Sequence, residues 1–131
     1  MNEEEKTGVD KATNAVIDGK VYRVNAWDAT KAIKFLQKLL QASAEDSIPF
    51  IQGDYDFSSI LRFTKNVDDD VLMILIQEAV CSSFRDGTRL DSTTFNRDFK
   101  DIMHVYKVFA WVCEVQYKDF FAQGLRMNEE K

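Results

Sequence analysis

At 131 residues and 15.1 kDa, the chain has room for one domain and little else. Apolar residues at 45% and aromatics at 12%, with ten Phe, four Tyr and two Trp, exclude a wholly disordered protein. A net charge of −5 and a pI near 4.9 argue against binding nucleic acid or an anionic membrane through bulk charge, and two Cys with one His leave little basis for a zinc site of soft ligands.

The N-terminus, Met1-Asn2-Glu3-Glu4-Glu5-Lys6, is acidic and polar, where a secretory signal carries positive charge and then an apolar run. No window approaches the ~18 to 20 apolar residues of a membrane-spanning helix. The expected location is therefore cytoplasmic, with Cys81 and Cys113 as reduced thiols in buried helical segments. Residues 1–13, charged and poor in apolar side chains, predict a flexible acidic tail, with a single globular domain over 14–124 and a frayed tail over 125–131.

Within the domain, Asp18-Gly19 separates two short β-favouring runs and predicts a hairpin with a type I′ turn over Ala15 to Val24. Asp28 then caps an amphipathic helix from 28 to about 43, with Ala29, Ala32, Ile33, Phe35, Leu36, Leu39 and Leu40 on one side. Pro49 disfavours helix at Ile48 and marks the end of that segment. Asp56 can cap a short helix carrying Phe57, Ile60, Leu61 and Phe63. Asp68-Asp69-Asp70 opens another over about 68 to 81, apolar around most of its circumference and so expected at the centre of the domain.

The second Asp-Gly pair, Asp86-Gly87, reads as a tight hairpin or simply a turn. Asp91 or Ser92 caps a helical stretch with Phe95 and Phe99, and the longest helix follows over about 101 to 122, with Gly124 as its C-cap. The fold class is thus α+β, mainly α: a small N-terminal β-hairpin, four or five helices, and a long C-terminal helix. The expected core comprises Ile33, Leu36, Leu40, Leu72, Leu75, Ile76, Val80, Phe99, Ile102, Tyr106 and Phe109.

Chemistry finds no support in this pattern. A calcium loop beginning at Asp54 fails, because its sixth and twelfth positions hold Ser59 and Lys65. His104 lies in an aromatic-rich helix with no local nucleophile motif, and the five glycines are too dispersed for a phosphate cradle. A structural or surface histidine, a solvated acidic loop and a non-enzymatic protein without metal or cofactor are the readings that follow. Lys31, Lys34 and Lys38 share one helix face, which reads as solvated. The C-terminal helix holds more aromatic side chains than one stripe needs. Trp111, Tyr117, Phe120 and Phe121 are the candidate partner-binding residues, for another protein or a second copy of the chain.

Three segments carry a family resemblance. They are Ile17 to Asn25 leading into Asp28-Ala29-Thr30-Lys31, with a helix ending in Leu39-Leu40; the central apolar helix followed by an Asp-Gly segment with Leu90; and Ile102 to Phe121, a long helix with Trp111 that finishes in Lys118-Asp119-Phe120-Phe121. Together the chain from 14 to 124 resembles the tail assembly chaperones of long-tailed bacteriophages and prophages. Family members usually show Asn or a similar small polar residue shortly before the terminal aromatic pair, where this sequence has Tyr117-Lys118-Asp119.

The resemblance implies a non-enzymatic protein of the host cytoplasm that transiently binds the tape measure protein and helps tail tube subunits assemble on it. Nucleic acid and membrane are not among the implied partners. The alternative is a small acidic inhibitor that blocks a nucleic-acid-binding enzyme. It calls for a carboxylate patch on one face and little exposed apolar surface.

Overall fold

Two Asp-Gly pairs set the β structure. Asp18 and Gly19 have φ of 51° and 84°, and Asp86 and Gly87 have 50° and 85°. Positive φ at both central positions is the type I′ geometry, whose twist matches that of the flanking strands. The computed structural model describes residues 12–129. In it the first turn joins strand β1 (Ala12–Ile17) to β2 (Lys20–Asn25), with Ile17 opposite Lys20 and Ala12 opposite Asn25.

The second turn joins β3 (Phe84–Arg85) to β4 (Thr88–Arg89), so Asp86-Gly87 is a hairpin. Strand β3 pairs with β2 through Tyr22 opposite Arg85 and Arg23 opposite Phe84, which gives one antiparallel sheet in the order β1-β2-β3-β4. The sequence predicts the small N-terminal hairpin, and the structure adds the second hairpin to its β2 side. Asp86 locks the pairing: its N–H donates to the Val21 carbonyl at 2.7 Å, and its Oδ1 accepts from the Val21 N–H at 3.1 Å.

Helix α1 (Ala29–Gln52) begins where Asp28 Oδ1 accepts the Lys31 N–H at 2.8 Å. The expected break near residue 43 is present, since Ser43 has extended backbone (φ −173°, ψ 99°). The expected end is not: the helix resumes at once and runs through Pro49 to Gln52. A proline inside a helix costs about 3 kcal/mol. The resumed turn points Phe50 and Ile51 into the core, fully buried, at a gain of about 1.5–3 kcal/mol each, which offsets that cost. Asp46 braces the new start by accepting from Ser43 Oγ at 2.7 Å and from Asn66 Nδ2 at 2.9 Å.

Asp56 caps α2 (Phe57–Asn66) by accepting the Ser59 N–H at 2.9 Å, and Asp91 caps α4 (Ser92–Asp98) by accepting the Thr94 N–H at 2.8 Å. Between them, α3 (Asp69–Val80) follows Asp68. It is not apolar-covered all round as expected. Leu75, Ile76, Ala79 and Val80 are buried against α1 and α5, its main neighbours, but Met73 and Ile74 on the other side are exposed.

Helix α5 (Ile102–Glu129) passes through Gly124, which is therefore not its C-cap, and includes Leu125 to Glu129, where fraying is expected. At the other terminus β1 already holds Ala12 and Thr13. The rest of the expected N-terminal tail lies outside the described residues.

The core forms around the first half of α5. Phe50 meets Phe63, Phe109 and Tyr106 at ring-centroid distances of 5.0, 5.7 and 6.2 Å. On the sheet side Tyr22 and Val24 are fully buried. Of the expected core, Leu75, Ile76, Val80, Tyr106 and Phe109 are buried, while Leu36, Leu72 and Phe99 pack at its margin. Ile33, Leu40 and Ile102 are 67%, 38% and 73% exposed. The apolar face of α1 is wider than its contact, and Phe35 and Leu39 take the inner side.

Two predictions follow from this packing. Phe50→Ala should lower unfolding stability by about 3–5 kcal/mol in urea titrations, since it empties the centre of the aromatic cluster. A loss below 1 kcal/mol, on the order of a surface change, would contradict the placement of Phe50. The second concerns Asp98, which accepts from Arg97 Nε and Arg85 Nη2, each at 2.8 Å. The Arg97 contact first, with Arg85 adding to it, lowers its carboxyl from the ordinary 3.8 to about 2. A lowered folded-state value stabilises above the unfolded value, and that stability is lost as pH falls through the folded one. The melting temperature of the wild type should therefore drop more steeply than that of Asp98→Asn between pH values of about 4 and 2; parallel acid limbs would show that the ion pairs contribute nothing.

Candidate functional site

Helix α5 is enclosed from His104 to Tyr117, and the four candidate partner-binding residues fall at different depths along it. Tyr117 is 3% exposed, donates its hydroxyl to the Ala32 carbonyl at 2.7 Å and stacks on Phe35. Burial pushes its phenol well above the usual range. Its side chain holds α5 to α1. Trp111 is half-buried against Tyr22, at 6.3 Å between centroids. Phe120 is 58% exposed and meets the partly buried Phe121 edge-on at 5.4 Å.

Phe120 and Phe121 do come together, in a cleft of about 540 Å³ with Leu125 and Met127 of α5 and Ile48 and Gln52 of the resumed part of α1. Sequence reasoning misses these lining residues for two reasons. Pro49 reads as the end of a helix, and residues 125–131 read as frayed. The spacing Phe121-Leu125, four apart, and Phe120-Gly124-Met127, four and three apart, is the signal that points to a continued helix face. Trp111 lies at a separate place, under the β1 side of the sheet.

The other titratable groups form a structural latch. His104 Nδ1 lies 2.9 Å from Asp18 Oδ2 and its Nε2 lies 2.7 Å from the Tyr22 hydroxyl, while Lys107 Nζ donates to Asp18 Oδ1 at 2.9 Å. A ring protonated at Nδ1 satisfies both contacts: Nδ1–H donates to Asp18, and the Tyr22 O–H donates to Nε2. The hydrogen bond from His104, then that from Lys107, holds the Asp18 carboxyl below its usual range, and burial pushes the Tyr22 phenol up. His104 and Tyr22 are both buried, so the group pins the first hairpin to α5, while Asp18 and Lys107 border a cleft of about 360 Å³ beside Trp111 and Glu114.

Burial raises the thiols of Cys113 and Cys81 above their usual value, which keeps both protonated and poor as nucleophiles. Asp68, Asp69 and Asp70 cluster within 4.8 Å at the start of α3, exposed to solvent. The lysine face of α1 is interrupted, with Lys31 over the Trp27 ring at 4.8 Å and Lys38 paired with Glu78 at 3.2 Å. Exposed Ile33, Phe57, Ile74, Ile102 and Phe120 run against the inhibitor reading, which requires little apolar surface.

No helix among the described residues is long and apolar enough to cross a membrane. A search of curated proteins and a search of solved structures each gave no match. Residues 18–128 match the family model for the phage tail assembly chaperone protein, TAC, from the turn of the first hairpin to the last turn of α5. That span takes in the latch, the core and the Phe120 cleft together, and the chain belongs to the phage tail assembly chaperone family.

Proposed function

We propose that the chain transiently binds the tape measure protein in the host cytoplasm and helps tail tube subunits gather on it. One observation carries the reading: a chain of this family ends in an apolar cleft, Phe120, Phe121, Leu125 and Met127 against Ile48, that none of its described residues fills. A groove between two helices suits the apolar stripe of a third helix, read at spacings of three and four residues. The net charge of −5 keeps the complex soluble while apolar stripes are covered. Tube subunits displace the chaperone by competing for the same stripes. Membership of a chaperone family supports a role without catalysis.

The test is co-expression with the tape measure protein encoded by the same phage or prophage, followed by affinity measurement on the purified pair. Phe120→Ser with Leu125→Ser changes two side chains that are 58% and 55% exposed, so folding should shift by about 0.5 kcal/mol or less. Affinity for the tape measure protein should fall about tenfold or more, the equivalent of roughly 1.4 kcal/mol. Undiminished binding by the double variant would remove the cleft from the proposal. Failure of the wild type to bind the tape measure protein would remove the function itself.

A further inference from the structure

The two edges of the sheet are treated differently. Strand β4 is two residues long and carries Arg89, which leaves little to pair with. Strand β1 is six residues long, and no described strand lies on its outer side. Soluble proteins blunt such an edge with charge, proline or a bulge. From Ala12 to Ile17 the chain reads Ala-Thr-Asn-Ala-Val-Ile, without charge or proline, and its register with β2 is unbroken. Ile17 and Lys20 flank a two-residue turn and so form a hydrogen-bonded pair, which turns the polar groups of Thr13, Ala15 and Ile17 toward β2. Those of Ala12, Asn14 and Val16 therefore point outward, and Val16 is 70% exposed.

The inner face of the same edge is also open. Trp111 stands beneath it as a ridge between two clefts of about 360 and 500 Å³, the first bordered by Val16 and Ile17, the second by Thr13 and Trp27. A strand added along β1 would meet both a backbone ladder and places for alternate side chains, the arrangement by which sheets recruit extended partners.

We propose that this edge pairs with β1 of a second copy, antiparallel about a two-fold axis at Asn14. Asn14 then lies opposite its own counterpart, and Ala12 opposite Val16 of the second copy, so every outward N–H and C=O of the three residues is met. On the inner face Thr13 lies opposite Ala15 of the second copy, both small enough to sit beside the Trp111 ridges. Symmetry favours this occupant: about Asn14 the strand is its own complement, and its six uncharged residues keep the net charge of −5, which makes most approaches between copies repulsive, out of the ladder. None of these residues lines the Phe120 cleft, so the pairing stands apart from the proposed function.

Sedimentation equilibrium on the full chain, over a wide range of concentration, tests the pairing. The expected mass is twice 15.1 kDa. Val16→Lys places a charge on the exposed edge, and Asn14→Pro removes one outward N–H while leaving the bonds to β2 intact. Each should weaken dimerisation about tenfold or more, with the far-UV circular dichroism unchanged. A chain that is monomeric at every concentration overturns the proposal. So does a dimer that survives both edge variants but dissociates in Phe120→Ser, which would assign self-association to the cleft.

Discussion

A helix too long for its own domain governs this molecule. The 28 residues of α5 extend about 42 Å at a rise of about 1.5 Å per residue. A compact domain of this chain length is only about 36 Å across. The helix therefore cannot be covered from end to end. The sheet and the remaining helices wrap it from His104 to Tyr117, and its last turns pass beyond them with Phe120, Leu125 and Met127 still exposed. An exposed apolar end is a consequence of the length of α5, and among the described residues the resumed part of α1 comes alongside it.

Two polar devices fix how the wrapping is done. On the sheet side, Asp18, Tyr22, His104 and Lys107 join the turn of the first hairpin to the start of α5. A buried imidazole and phenol are costly when unpartnered, and here each ring nitrogen has its own contact. The geometry also fixes register, because a slip of one residue would turn Tyr22 away from α5 and Trp111. On the helical side, the Ser43 break lets α1 change direction, so that Phe35 and Leu39 serve one part of the core and Phe50 and Ile51 another. A straight α1 would keep those residues on lines set by a single helical period.

Local chemistry was legible in the sequence, and distant pairing was not. Asp28, Asp56 and Asp91 cap helices as their positions imply, and Asp18-Gly19 turns as such a pair must, because these effects act within three or four residues. The β2 to β3 pairing joins segments some sixty residues apart through Asp86 and Val21, which no local pattern announces. Pro49 misleads for a related reason. Its local penalty is real, but burial of Phe50 and Ile51 outweighs it, and burial is decided by tertiary contact. At the candidate site, aromatic content pointed to α5 as a region. It could not separate Tyr117, whose hydroxyl finds the Ala32 carbonyl, from Phe120 one turn further on.

The two open surfaces differ in the kind of partner they admit. The Phe120 cleft is apolar and undirected, so it can take successive stripes of a long helical protein with little demand on their sequence. Such contacts are tuned by area, and a small cleft binds weakly enough to be displaced. The β1 edge is directional and demands a backbone in register, which suits a fixed partner. A two-fold pair through β1 carries two Phe120 clefts on one body. If both engage one long partner, as the proposed function has it, the second contact becomes intramolecular, and avidity exceeds that of either cleft alone. Under the proposed function, weak individual sites of this kind hold a long protein without any one of them resisting displacement, and release can then proceed stripe by stripe.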